Sequence, residues 1–136
     1  MKPLFVDTGY WIALFSNRDA LHAKALELRA RVSHERRQMV TTSAILVETV
    51  DGFAERERRH AAEFRSLIEA SRRIEVVHVD EALLRRGWDL FEARDDKQWS
   101  LTDCISFQAM RERDLNQALA HDHHFVQAGF SALLRD

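Results

Sequence analysis

Four acidic residues in this chain lie in or directly after apolar runs instead of in charged stretches. Asp7 closes Leu4-Phe5-Val6, and Glu48 sits inside Ala44-Ile45-Leu46-Val47-Glu48-Thr49-Val50. Asp103 follows Trp99-Ser100-Leu101-Thr102, and Asp122 follows Ala118-Leu119-Ala120. A carboxylate in such a setting is desolvated unless it pairs or binds a cation. Each also has an ordinary structural use. Asp7 and Thr8 cap helices well, Ser100-x-x-Asp103 is spaced as a capping box, and Asp122 suits a turn. Glu48, with Asp51 and Glu55, fits a solvent-facing helical stripe. Gathered together, the four would repel: at about 4 Å and an effective dielectric near 20, each close pair costs roughly 4 kcal/mol, which a divalent cation offsets. Oxygen-only ligation with room for water suits Mg²⁺ or Mn²⁺ far better than Zn²⁺. The chemistry would be metal-assisted hydrolysis. A phosphatase with a strand-end Asp nucleophile would need a second Asp two residues on, where this chain has Gly9.

Short strands and amphipathic helices are what could bring these residues together. Leu4-Phe5-Val6, Met39-Val40-Thr41, Ile74 to Val79 and a weaker segment, Gln117 to Ala120, read as strands. Three successive apolar residues in the first argue for burial on both faces, as in a parallel sheet covered by helices. Helical spacing marks Leu21, Ala25, Leu28 and Val32, and again Leu83, Leu84, Gly87, Trp88 and Phe91. Residues 43–54, 60–72 and 102–113 also read as helices. The order β-α-α-β-α-α-β-α-α-β calls for a three-layer α/β/α sandwich with a central, mainly parallel sheet of four or five short strands. In such sheets ligands bind beyond the carboxyl ends of the strands. Asp7 and Asp122 fall there, and Glu48 and Asp103 lie near helix starts.

With 136 residues, the chain suits one domain spanning 1–136. Its 20 Lys+Arg against 22 Asp+Glu exclude nucleic-acid binding driven by bulk positive charge. The one cysteine, Cys104, excludes an intrachain disulfide and fits a reducing compartment. The longest apolar run, Tyr10 to Phe15, is far short of the roughly 20 residues that span a bilayer. A cytoplasmic protein without membrane contact is expected. His121, His123 and His124 around Asp122 offer a competing transition-metal reading, but neighbours on a short loop rarely converge on one ion. Glu57-x-x-His60 is half of a di-iron signature without its second copy, and reads as surface. Arg56, Arg58, Arg59, Arg65, Arg72 and Arg73 could follow a nucleic-acid backbone, or form a solvated face laced with Glu–Arg pairs. The apolar first helix and the Leu21/Ala25/Leu28/Val32 stripe are expected to leave some surface for a partner.

The chain resembles the PIN-domain ribonucleases, and within them the toxin halves of bacterial VapBC toxin–antitoxin modules. The resemblance runs through Phe5-Val6-Asp7-Thr8-Gly9-Tyr10-Trp11, Ser43 to Glu48, Trp99-Ser100-Leu101-Thr102-Asp103-Cys104 and Asp122-His123-His124-Phe125; His121 departs from the usual residue before the last Asp. It implies that Asp7, Glu48, Asp103 and Asp122 are metal-binding carboxylates, with Thr8 and Thr102 as supporting hydroxyls. It further implies an Mg²⁺- or Mn²⁺-dependent endoribonuclease leaving a 5′-phosphate and a 3′-hydroxyl, a small antitoxin partner and a homodimer. A non-catalytic PIN-like module that binds RNA or protein, and a metal-dependent DNA nuclease, are the alternative readings.

Overall fold

The structure is a computed structural model and describes residues 1–135. Strands β1 (Leu4–Val6), β2 (Met39–Thr42), β3 (Ile74–Val77), β4 (Gln117–Leu119) and β5 (Ser131–Ala132) form one sheet in the order β3-β2-β1-β4-β5. Every pairing in it is parallel. The connecting helices are α1 (Thr8–Phe15), α2 (His22–His34), α3 (Ser43–Phe53), α4 (Arg58–Ala70), α5 (Glu81–Ala93), α6 (Leu101–Glu112) and α7 (His123–Gln127). The expected α/β sandwich is therefore present. β1 is its central strand, and all three of its residues are buried, as a sheet covered on both faces requires.

The connections explain where a site can form. From β1 the chain steps outward through β2 to β3; it then returns through α5 and α6 to place β4 on the other side of β1. The direction of winding reverses between β1 and β4, and the crevice beyond the carboxyl ends of such a pair is where open α/β sheets bind ligands. The Asp7 amide donates to the Leu119 carbonyl at 3.1 Å, closing that junction. Aromatic residues fill the core. Phe107 packs edge-on against Phe125 and Trp99, each at 5.0 Å, and Trp11 meets Phe64 at 5.3 Å.

Several elements differ from the sequence reading. The sheet has the larger of the two expected strand numbers, but the segment that forms β5 and the five-residue α7 carry no signal, because a two-residue strand and a single helical turn have no periodicity. β3 ends at Val77 and β4 at Leu119; the Val79 amide beyond β3 donates to Ser43 Oγ instead, at 2.9 Å. The C-terminal turns of α2, α6 and α7 close by the same pair of backbone bonds, with Arg36, Asp114 and Gly129 at positive φ. Only the last carries the glycine that usually marks this motif.

The apolar surface also falls in different places. Tyr10, Trp11, Ala13 and Leu14 of α1 and Ala25, Leu28 and Val32 of α2 are buried in the chain's own core, so those helices do not supply the spare face expected of them. The α5 stripe splits. Leu83 and Gly87 are buried, whereas Leu84, Trp88 and Phe91 are exposed. A Cβ on Gly87 would sit 2.6 Å from Ile105 Cγ1 and 3.2 Å from the Ile105 backbone. The missing side chain is what lets α5 lie directly on α6.

Candidate active site

Each of the four acids is placed by a different connection. Asp7 occupies the residue between β1 and α1 in extended conformation, yet its side chain makes no capping bond, so the capping alternative does not account for it. Glu48 lies in the middle of α3. That helix starts at Ser43 because Thr42 accepts a hydrogen bond from the Ile45 amide. Glu48 is exposed, not desolvated as its apolar neighbours suggested, because α3 also turns Val47 and Val50 to the surface. Its Oε1 accepts a short hydrogen bond from Thr8 Oγ1, which brings it back to the end of β1.

Asp103 carries out the capping function and is also turned to the site. The Ser100 amide donates to its Oδ2 at 3.1 Å, and its own amide donates to Ser100 Oγ at 3.0 Å. The same Oδ2 lies 3.0 Å from His124 Nδ1. Asp122 accepts from the His124 amide at 2.9 Å, starting α7, and its Oδ1 lies 3.2 Å from His124 Nδ1. Trp99 Nε1 donates to Gln127 Oε1 at 3.0 Å, tying the approach to α6 to the end of α7. Thr102 is half-buried immediately before Asp103.

The charges of Asp103, Glu48 and Asp122 all act on the Asp7 carboxyl at the carboxyl edge of β1, although no three of the four acids bring oxygens within 4.8 Å of one another among the described residues. The Asp7 carboxyl is pushed up to about 8, first by burial, then by the charge of Asp103, with smaller contributions from Glu48 and Asp122. Its backbone bond at Thr8 opposes this only in part. Asp7 and Asp103 are buried, Asp122 is half-buried and Glu48 is exposed, so the cluster opens to solvent on the α3 side. Four carboxylates and a nearby threonine hydroxyl form a hard-oxygen donor set of the kind that takes Mg²⁺ or Mn²⁺. An acid raised this far relaxes when a cation sits beside it. The donor set therefore fits a divalent ion.

The histidines behave differently from the expectation for a short loop. Asp122, His123 and His124 each offer a ligand atom within 4.8 Å of the others, so neighbouring residues do converge here. However, His124 Nδ1 is shared between Asp103 and Asp122. The imidazole thus joins two carboxylates, a role that sequence adjacency to Asp122 does not reveal, since Asp103 is remote in the chain. Glu57 and His60 are not the surface pair expected. His60 is buried against Phe15 and Phe53, with Nε2 3.1 Å from Glu57.

A fully parallel five-stranded sheet with clustered acids at its switch point defines a PIN-type nuclease domain, and the chain matches the PIN domain family over residues 4–131. It belongs to that family. Relatives at 32% identity over 127 residues are named 23S rRNA-specific endonuclease VapC20, from two strains of Mycobacterium tuberculosis, CDC 1551 / Oshkosh and ATCC 25618 / H37Rv. The matched region is 93% of this chain and 95% of theirs. The crystal structure of Mycobacterium tuberculosis VapC20, described as a Sarcin-Ricin loop cleaving toxin, superposes with a TM-score of 0.81 at 29% identity, again covering 93% of this chain and 95% of that one. The resemblance read from the sequence holds over nearly the whole length, and PIN nucleases as a class depend on divalent metal. No helix among the described residues is long and apolar enough to cross a membrane.

Proposed function

We propose that this protein is an Mg²⁺- or Mn²⁺-dependent endoribonuclease acting as the toxin of a cytoplasmic toxin–antitoxin pair, with one domain over residues 1–136 carrying the whole activity. The observation that supports it is the common action of Glu48, Asp103 and Asp122 on Asp7 at the end of β1, with the Asp7 carboxyl pushed up to about 8. These four residues hold the ion. When bound, it supplies an acidified water and neutralises charge on the scissile phosphate. Thr8 fixes Glu48, while Ser100 and His124 fix Asp103. Cys104, fully buried with its thiol pushed up to about 11, is no candidate nucleophile.

From the mycobacterial relatives we carry over RNA as the substrate. The partners are a second copy and a small antitoxin. The exposed row Leu84, Trp88 and Phe91 on α5 offers an apolar face for the former. A hollow of about 440 Å³ between α3 and α4, lined by Leu46, Val50, Ala61, Phe64 and Ile68, offers one for an apolar segment of the latter. The test is incubation of the purified chain with RNA, and with DNA of matching sequence, in Mg²⁺, Mn²⁺ or EDTA. RNA cut only with metal supports the reading. Undiminished cleavage in EDTA sinks the metal mechanism, and preferential cutting of DNA sinks the substrate. Growth arrest by the chain alone, relieved by the product of an adjacent small gene, tests the toxin role.

A further inference from the structure

At the opposite edge of the sheet from the acids, α1, the end of α2 and the approach to β3 enclose a hollow of about 510 Å³ with an apolar base that includes Val32 and Met39. Arg29, Arg72 and Arg73 line it together with Ser33, Ser71 and Tyr10. No carboxylate lines it, and none of the three guanidinium groups is in an ion pair among the described residues. Nearby arginines contrast with this: Arg31 pairs with Glu35 and Arg65 with Glu69. Arg73 is half-buried, held by Nη1 against the Ser33 carbonyl at 3.5 Å, while its backbone carbonyl accepts from the Met39 amide at 2.7 Å. Arg29 and Arg72 are exposed. Arg29 also acts on Tyr10, opposing the burial that raises that phenol, so its charge reaches the floor of the hollow. Three like charges facing one cavity repel unless an anion joins them, and forked guanidinium donors beside hydroxyls match phosphate oxygens.

We infer that the hollow formed by Arg29, Arg72 and Arg73 is a second phosphate-binding site, engaging the RNA backbone several nucleotides from the bond that is cut. This rests on RNA being the substrate. The acids lie beyond the carboxyl end of β2, whereas Met39 and Arg73 place the hollow beside the amino ends of β2 and β3, roughly one strand length away, about 13 Å at ~3.3 Å per residue. A backbone of a few nucleotides spans that distance, so the strand that is cut at the acids can also reach the hollow. The arginines therefore act on the affinity for RNA that extends a few nucleotides beyond the bond that is cut, not on the chemical step.

The test compares the wild-type chain with Arg29→Gln/Arg72→Gln/Arg73→Gln and with the corresponding triple Lys variant, using a labelled RNA hairpin in EDTA so that binding is read without cleavage. The slope of log affinity against log salt should become shallower by about 2 to 3 in the Gln variant, since each lost phosphate contact contributes ~0.7 for single strands to ~0.9 for duplex. The Lys variant should keep the slope, and metal-dependent cleavage of a single-stranded oligonucleotide too short to reach the hollow should match the wild type in both. An unchanged slope in a Gln variant with wild-type circular dichroism overturns the proposal. So does tight binding of inorganic phosphate in the hollow without any effect on RNA, which marks a small-anion site, or loss of an acidic protein partner instead of RNA. A wild-type chain that binds the hairpin with the expected slope but never cuts it overturns the nuclease reading and supports this one; cleavage with an unaltered slope does the reverse.

Discussion

The Nδ1 atom of His124 stands 3.0 Å from Oδ2 of Asp103, two side chains brought together across α6 and α7. Because the same nitrogen lies 3.2 Å from Asp122, the imidazole fixes the spacing of two of the four carboxylates. Removing such an outer partner of a ligating carboxylate typically costs 10–100-fold in metal affinity or activity. His124→Ala should therefore raise the Mg²⁺ concentration needed for half-maximal cleavage by about that factor, with little change in melting temperature. A lower melting temperature with unchanged metal dependence would make the histidine structural only.

Asp7→Asn and Asp103→Asn should each lower cleavage by two or more powers of ten, the several kcal/mol expected when a ligand to a catalytic ion is lost. Stability should separate the two positions. Asp7 makes no capping bond and its amide relieves repulsion, so that variant should melt at or above the wild-type temperature without metal. Asp103 closes a capping box by accepting from the Ser100 amide, a bond that Asn keeps through its amide oxygen and Asp103→Ala loses, so the alanine variant should cost about 0.5–2 kcal/mol. Equal melting temperatures for Asp7→Asn and Asp103→Ala would contradict this division.

The Asp7 carboxyl also sets a pH trend. Its folded value of about 8 lies above the ordinary 3.8, so the folded state holds a proton that the unfolded state has released between those limits. Stability of the metal-free protein should therefore decline as pH rises from about 4 to about 8, and level off above. Asp7→Asn should flatten that decline in chemical denaturation series. A wild-type curve that climbs through the window would show that Asp7 is ionised without metal.

Adding Mg²⁺ or Mn²⁺ without RNA should raise the melting temperature, because an ion that binds only the folded chain stabilises it by about 2.7 kcal/mol at 100 times its dissociation constant. The rise should vanish in Asp7→Asn/Asp103→Asn. A Zn²⁺-specific shift that survives this double substitution would point to the Asp122–His123–His124 group instead.

Gly87→Ala should destabilise by about 1–3 kcal/mol, the usual cost of overpacking, since the new methyl meets Ile105 at 2.6 Å. Ile105 is two residues past Asp103, so cleavage should fall as well. Wild-type stability in thermal melts would show that α5 and α6 can separate freely.

How much of this was readable in advance depended on the kind of signal. β1, β2 and the long helices were legible because burial imposes a period on the residues, and Asp7 was legible because it ends an unbroken apolar run. α7 and β5 were not, being too short for any period. The helix ends at Arg36 and Asp114 were hidden because neither is the glycine that normally marks a left-handed turn. The four acids could be named, but what holds them could not. The His124–Asp103 contact, the Thr8–Glu48 bond and the gathering of Arg29, Arg72 and Arg73 in one hollow all join residues remote in sequence. Exposure was the least legible: Glu48 lies outside although its neighbours are apolar, and Trp88 although it shares a helical stripe with the buried Leu83 and Gly87, because one helical face can be covered only by what the fold happens to place there.

The pairing of β1 with β4 also governs when the protein becomes active during its own synthesis. Phe5 leaves the ribosome among the first residues, yet its partner Ala118 belongs to the last element but one of the sheet. Asp7 thus stands on a strand paired only on its β2 side while Asp103 and Asp122 are still being made. Pairings this distant in sequence form late and slowly. A ribosome translating this message therefore carries an inert chain until β4 and Asp122 have been made, and an enzyme that cuts RNA is kept from assembling before then.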